Sequence, residues 1–598
     1  MNTLKIPALI KTFEQDVIKP DVDVIGLLTS TLRQLFSAGL EQGGLSPHMS
    51  ASDVDRYYTR LSAAITHALI QLPDLNLEQV KQLSNHRSII QSVFLASGYR
   101  STSHLIDLVS ERDAEGNNVL KKQKLLLLFS VLSLDEYSDQ LISILLQQEP
   151  ELIFTIMISL LGQRAVLTEQ GERNRTRLLT SGHLIEEVAV DPGNIQSMVK
   201  VWMYCSYAST PDKHEIKHTL NRLFVRMMQE EGVNPRPVQK KKRKRPRVMV
   251  IHERFTCQHA MFRCYAPLIR SLKSDFELWA LADKDQIDES SDSIFDKVYT
   301  LEKGMPIDSI VKQIQNLAPD IIYYPSLGMS HYTILIANLR LAPLQIAGQG
   351  HPATTHIKTI DHILMPKFEG DLKSLYSEDI MMWNDGVLFE AHSSLPVTMP
   401  EKNNIDIGCI NIAINSKVLK LSYRLIAICK RLVKESNAPL CFHFFPGEQG
   451  VYLDGLKALI NKSIPDARVY GYMPYQDFLQ KIKNCDLSLA AFPFGNTNST
   501  VDTCLLGVPT VAYLGSEISS QTDKYVINLA GMPEDLITKN DEEYFSKALY
   551  AISLIRKDGV FWEGNDNEGV RERIISSGNS EPKKDFLNKF SKIVQLND

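Results

Sequence analysis

The residues best able to do chemistry gather in four short stretches, each following a run that reads as a β-strand. The first is FPFGNTNSTVD (Phe492–Asp502), directly after DLSLAA. Gly495 permits a tight turn, and Asn496, Thr497 and Asn498 bring small polar side chains to the start of a helix. Backbone N–H groups and hydroxyls at such a start form an anion site, aided by the helix dipole. Asp502, about one turn further on, can accept ribose hydroxyls. The same Asn, Ser and Thr residues are also favoured caps of an ordinary helix. The second stretch is QGHPATTH (Gln349–His356), after LQIA. Its two histidines and two threonines are unusual for mere connection. His351 or His356, with Thr354, can supply hydrogen bonds to a bound donor. No carboxylate lies at ligand spacing from either histidine, so a metal is not expected there. The third is HERFTCQHAMFR (His252–Arg263), where His259 and Arg263 fall one helical turn apart on one face. That suits a polar pair facing a cleft, or a casual pair on a surface helix. The fourth is NIAINSKVLKL (Asn411–Leu421). At a strand end, Lys420 can neutralise a diphosphate leaving group, work otherwise often done by a metal, although most lysines are simply solvated.

Absent patterns narrow the field. There is no Walker A sequence and no G-x-G-x-x-G opening a Rossmann-like unit, which argues against NTPase and dinucleotide readings. Asp-x-Asp occurs at Asp21–Asp23, Asp53–Asp55 and Asp283–Asp285. Only the last follows a strand, inside DKDQIDESSD, which reads as a solvated acidic loop. No metal site is expected.

The elements that must position these stretches divide the 598 residues into three regions and a linker. Residues 1–235 carry apolar spacing of three and four and almost no strand signal, so they form an all-α domain. Val24–Leu40, Val54–Leu72 and Leu77–Ala96 are its plainest helices, the middle one bracketed by an Asp53 start and a Pro73 stop. Residues 236–246, with proline on both sides of KKKRKR, read as an extended basic linker. Residues 247–395 and 396–598 each alternate short apolar strands with helices, the signature of a doubly wound parallel sheet. The division falls near residues 385–405. Ligands of such sheets bind at the carboxyl ends of strands, where all four stretches lie. Net charge is −5, which gives no nucleic-acid footprint. Eight cysteines without a CxxC pair favour a reducing compartment over a disulfide framework or a zinc site. The greasiest run, Leu125–Leu134, is half the roughly 20 residues a membrane span needs. Lys11 interrupts the N-terminal apolar run, so neither membrane insertion nor a signal peptide is expected, and the chain is assigned to the cytoplasm.

Taken in order, HERF…HAMFR, YYPSLGM, LRLAPLQ, GHPATTH, the lysine-bearing strand loop and FPFGNTN resemble one family. It is the bacterial cytoplasmic N-glycosyltransferases that modify high-molecular-weight adhesins, relatives of the catalytic half of O-GlcNAc transferase. The resemblance runs from about residue 247 to 550 and implies an α/β fold of GT-B type, two Rossmann-like domains behind the all-α domain. It further implies an inverting, metal-independent transfer without cofactor, from a UDP-hexose donor to asparagine of Asn-x-Ser/Thr in a polypeptide acceptor such as an adhesin. On that resemblance residues 247–395 take the acceptor side and residues 396–598 bind the nucleotide sugar. Lys420 would contact the diphosphate, Asn498 and Asp502 the nucleotide end, and His351 the donor pocket. His259 and Arg263 would face the reacting centre. The chain departs from the pattern in three places. It carries Glu448 in FHFFPGE where glutamine is expected, YGYMPYQ where a histidine-containing segment is expected, and a divergent HILMPKFEGDLKS. Glu448 in particular would read donor hydroxyls as an acceptor only, given a cation or hydroxyl donors to satisfy it; otherwise it sits on a solvated glycine-flanked loop. An O-glycosyltransferase, a glycan-extending transferase, or a degenerate GT-B subunit without activity are the alternatives.

Overall fold

The computed structural model describes residues 5–45, 49–112, 118–384, 389–403, 408–562, 567–575 and 581–597. The first four residues of the N-terminal segment, and parts of the expected division near 385–405, lie outside them. By contacts the chain forms two compact units, Met1–Ile185 with Asn411–Met473, and Glu186–Ile410 with Pro474–Asp598.

The first unit joins a helical layer to strands of the second α/β series. Its helices have readable causes. Leu77–Ala96 begins with a reciprocal capping box between Asn76 and Gln79. Ala51–Gln71 begins three residues before the expected start, because Ser50 rather than Asp53 is the cap: its hydroxyl accepts from the Asp53 N–H. The expected helix Val24–Leu40 is two, Val24–Ser37 and Leu40–Gly43, divided at Gly39 with φ 98°. Leu125–Val131 is a short helix with Leu127, Leu128 and Val131 at 1% exposure or less. One feature of this layer is strand, the hairpin Ser110–Arg112 with Asn118–Leu120. Gly455 lets the helix Gly450–Ser463 close onto Leu77–Ala96; a Cβ there would lie 2.9 Å from the Ser92 carbonyl oxygen. Tyr58 reinforces the contact by donating to Asp454 over 2.9 Å. The unit's strands are Ile410–Ile414, Leu440–Phe444 and Arg468–Val469, the last two parallel in the register His443↔Arg468.

The second unit contains a complete seven-stranded parallel sheet. In chain order its strands are Arg247–His252 (β1), Glu277–Asp283 (β2), Lys297–Leu301 (β3), Ile321–Tyr324 (β4), Leu344–Gly348 (β5), His362–Pro366 (β6) and Asp379–Trp383 (β7). Their spatial order, β3-β2-β1-β4-β5-β6-β7, reverses between β1 and β4. That reversal is the topological switch point of a doubly wound sheet. Val248 to Ile251 and Ile321 to Tyr324 are at most 1% exposed, as expected of strands covered on both faces. β7 lacks the continuous apolar run of the others, with only Trp383 of its five residues fully buried. It is an edge strand, which explains why its sequence does not announce it. The same unit holds three further parallel strands, Leu487–Leu489, Thr510–Tyr513 and Ile537–Thr538. The last is too short to carry a period of its own.

The basic segment 236–246 has neither helix nor strand. Arg243 pairs with Asp320, and the Arg245 guanidinium donates to the Phe276 carbonyl over 2.6 Å. No helix among the described residues is long and apolar enough to cross a membrane.

Candidate functional site

In the second unit, the turn after β1 is fastened by one carboxylate. Glu253, 2% exposed, accepts from the Ser326 and Thr333 hydroxyls at 2.6 Å and from the N–H groups of Gly328, Met329 and Ser330 at 2.9–3.0 Å. It ties β1 to the loop after β4 at the switch point. The chain then enters the helix Ala260–Ser271. His259 is not inside that helix with Arg263, as its spacing suggested. It is the cap, with extended backbone (φ −91°, ψ 145°), and its Nδ1 accepts from the Met261 N–H at 3.2 Å. Arg263 is inside the helix and 3% exposed.

Arg263 meets another of the candidate residues directly. Its Nη2 lies 3.1 Å from Asp502 Oδ1, and the Tyr475 hydroxyl donates to the same Oδ1 over 2.6 Å. Both bonds fall on one carboxylate oxygen, which fixes the carboxylate plane and leaves Oδ2 outside this pair of bonds. His392 stacks on Tyr475 at 3.8 Å between centroids. Tyr475 was not singled out by the sequence, because a tyrosine opening a helix is ordinary until its partner is known. Asn498 is the first residue of the helix Asn498–Leu505, and its Nδ2 lies 3.3 Å from Cys264 Sγ.

The polar turn of FPFGNTN is organised differently from a vacant anion site. Asp523 occupies part of it: its carboxylate accepts from the N–H of Asn496 at 2.8 Å, the N–H of Thr497 at 2.6 Å and the Thr500 hydroxyl at 2.7 Å. Those two amides are therefore spent on an internal carboxylate, twenty-odd residues downstream and invisible as a partner in the sequence. Thr497 has φ 55° and ψ −93°, a sparsely populated conformation for a β-branched residue. It is held there by Asp523 and by a 2.6 Å bond to Thr522. Strain maintained by a dedicated carboxylate marks a turn whose shape matters.

GHPATTH is the most buried of the four stretches. His351 is 6% exposed, bonded through Nε2 to Ser206 at 2.7 Å and stacked against Phe494. Burial, then the nearby Lys217 and Lys213, hold its pKa well below the ordinary value, so it is a neutral imidazole. Thr354 donates to Glu378 at 2.9 Å, and its carbonyl accepts from the fully buried Lys217 Nζ at 2.7 Å. Lys217 also lies over the Trp202 ring at 4.2 Å. Lys213, 3% exposed, pairs with Glu517 at 2.8 Å. Ser206, Lys213 and Lys217 read in the sequence only as part of a helical region; their positions behind this loop are a tertiary fact.

In the first unit, Lys420 ends a 3-10 turn, Val418–Lys420, immediately beyond the strand Ile410–Ile414, and is half-buried. Glu448 lies beyond the neighbouring strand Leu440–Phe444. It is 5% exposed rather than on a solvated loop, and Arg164 Nη2 sits 2.7 Å from its Oε1. Burial raises its pKa, while Arg164 and Lys417 pull it back. Gly447 sits here with a left-handed backbone (φ +70°), which glycine adopts without steric cost. Glu448 and Arg164 line a cavity of about 380 Å³ with Arg87, Gln163 and Tyr452. Arg164 comes from the helical layer, and nothing in its local sequence marks it.

Comparison with known proteins agrees with this architecture. Residues 143–228 match the family model described as HMW1 domain 2. A UDP-glucose:protein N-beta-glucosyltransferase of Actinobacillus pleuropneumoniae serotype 5b (strain L20) is 26% identical over 519 residues, 82% of each chain. A probable UDP-N-acetylglucosamine–peptide N-acetylglucosaminyltransferase SPINDLY of Solanum lycopersicum is 25% identical over 229 residues, covering 36% of this chain and 24% of its own. Among solved structures, a mutant of Thermobaculum terrenum O-GlcNAc transferase superposes with a TM-score of 0.57 over 97% of this chain and 98% of that one, at 15% identity. With the helical region, the two parallel sheets and the motifs in one order, the chain is similar to protein N-glycosyltransferases over most of its length, and its fold is of GT-B type.

Proposed function

We propose that this chain moves a hexose from a UDP-sugar to the side-chain nitrogen of asparagine in Asn-x-Ser/Thr segments of a polypeptide, with inversion and without a metal or cofactor. The observation that carries the reading is the pair of Actinobacillus relatives named UDP-glucose:protein N-beta-glucosyltransferase, each matched over 82% of both chains. In the reaction the amide nitrogen attacks C1 of the hexose from the face opposite the diphosphate. The C1–N bond forms as the C1–O bond to the β-phosphate breaks; the electron pair leaves with UDP, and the nitrogen loses one proton. Lys420 supplies positive charge to the departing diphosphate. Asp502, oriented by Arg263 and Tyr475, accepts ribose hydroxyls through Oδ2, and Asn498 stands one turn before it. His351, neutral and fixed by Ser206, lines the donor pocket with Thr354. A neutral imidazole is too weak a base to deprotonate a resting amide. His259, which caps its helix through Nδ1, and Arg263 are assigned to the reacting centre on the family resemblance. The acceptor is assigned to the adhesin class on the family resemblance. The eight cysteines are all free thiols, which supports a cytoplasmic setting.

The test is mass spectrometry of a sequon peptide incubated with UDP-glucose, UDP-galactose or UDP-GlcNAc, with EDTA present throughout. A hexose mass on asparagine is expected from at least one donor. Sugar on Ser or Thr, on an existing glycan, or turnover that appears only when manganese replaces EDTA would overturn the assignment; absence of UDP release from any donor would leave a non-catalytic subunit.

A further inference from the structure

We propose that Glu215, His218 and His356 form a binding site for a divalent transition-metal ion of the zinc class, clamping the helix Ile216–Glu230 to the GHPATTH loop. The two elements are far apart in sequence and belong to one compact unit. Among the described residues, one group of three His, Cys, Asp or Glu side chains brings its ligand atoms within 4.8 Å of one another, and it is this one. The carboxylate that GHPATTH lacks locally is supplied from 141 positions upstream, by Glu215.

The donor set is two imidazole nitrogens and one carboxylate oxygen, which suits Zn²⁺ with a fourth position left for water. Glu215 and His218 stand three residues apart, on one helical face, with Glu215 Oε2 4.0 Å from His218 Nε2. His356 approaches from the loop, its ring centroid 3.9 Å from that of His218. One further observation points to a ligand. His356 Nδ1 is buried and has no hydrogen-bond partner. The loop holds His356 at φ 51°, a left-handed conformation that histidine tolerates better than most non-glycine residues. Asn221 imposes it, donating to the carbonyls of Thr355 and His356 at 3.0 and 2.9 Å. The loop histidine is thus rigid, while His218 and Glu215, 49% and 62% exposed, are free to close the short remaining distance. Lys217 opposes a second cation, but its charge is directed onto the Thr354 carbonyl and the Trp202 ring.

This proposal does not rest on the transfer chemistry, and the ion it places is a clamp rather than a reactant. The full chain, stripped with chelator and dialysed, is titrated with Co²⁺ as a visible probe and then with Zn²⁺ in competition. One equivalent is expected to bind with the absorption of a nitrogen- and oxygen-ligated site, without thiolate charge-transfer bands, and Zn²⁺ is expected to raise Tm. His218→Ala, at an exposed position, should weaken Zn²⁺ binding by at least about 100-fold, more than loss of an outer partner costs, and abolish the Tm rise. Glu215→Gln should weaken it less. Binding unchanged in His218→Ala, thiolate bands in the cobalt spectrum, or no retained equivalent in the parent chain would each overturn the site.

Discussion

Two candidate residues that the sequence placed 239 positions apart are bonded to each other, and the strength of that bond decides what each can do. Arg263 and Asp502 have side-chain exposures of 4% and 7% at 3.1 Å. At an effective dielectric near 20, charges at that separation attract by about 5 kcal/mol, an amount that desolvation of both groups largely cancels. Removing one partner is different, because the other stays buried and charged: such truncations cost about 3–5 kcal/mol. Arg263→Met and Asp502→Leu should therefore each destabilise the second unit by about 3–5 kcal/mol, slightly less for Arg263→Met because Tyr475 still donates to Asp502. The double variant, with no charge left to strand, should cost far less than the sum, giving a coupling of about 3 kcal/mol. A chain of 598 residues in two units will not unfold in one step, so the assay is local. Hydrogen exchange of the helices Ala260–Ser271 and Asn498–Leu505 reads opening free energies where the pair sits. A coupling below about 0.5 kcal/mol, the limit of ordinary additivity, would refute the reasoning. Arg263 would then be energetically independent of Asp502 and available to the substrate as an unpaired cation.

Lys420→Ala should lower kcat by about 2–4 kcal/mol of transition-state stabilisation while changing donor affinity less, as loss of one strong electrostatic donor does; a variant with near-normal kcat would make the lysine ordinary surface charge. Glu448→Gln should alter the ratios of kcat/KM among UDP-glucose, UDP-galactose and UDP-GlcNAc with UDP affinity nearly unchanged, and Arg164→Ala should move the same ratios, since Arg164 holds the carboxylate. Matching ratios in all three proteins would show that Glu448 does not read the sugar. His252 is 3% exposed, stacked on Phe255 at 3.9 Å, and burial takes its pKa down to about 3. The unfolded chain binds a proton near pH 6.5 that the folded one refuses, so stability falls as pH drops below that value, by up to about 1.4 kcal/mol per pH unit. His252→Leu should remove this share of the acid sensitivity between pH 6.5 and 4, read by hydrogen exchange of the adjoining strand; parallel pH profiles for the two proteins would contradict it.

The strand series was legible because buried parallel strands must be continuously apolar, and β1 and β4 satisfy that at every interior position. β7 was not, because an edge strand needs only one covered face, and DIMMW buries Trp383 alone completely. Helix starts were legible to within a turn, and the misplacement at Asp53 has a plain cause. Ser50 and Asp53 are both competent caps, and only the direction of one hydrogen bond distinguishes them.

The site shows a deeper asymmetry. Sequence identifies groups that have a chemistry; it does not identify groups whose role is to occupy that chemistry until a substrate arrives. Asn496 and Thr497 read as an anion-binding turn by residue type, yet Asp523 already takes their amides. Arg263 and Asp502 read as two independent ligand groups, yet each neutralises the other. Glu448 read as either a reader of hydroxyls or a solvated glutamate, and Arg164 makes it a buried, paired carboxylate. In each case the unseen partner is an ordinary Asp, Arg or Tyr with no local motif, because its only requirement is to arrive at about 3 Å through the fold. The consequence, within each unit taken by itself, is a set of polar groups oriented by internal partners. Polar groups held in this way need little reorganisation when charge develops beside them.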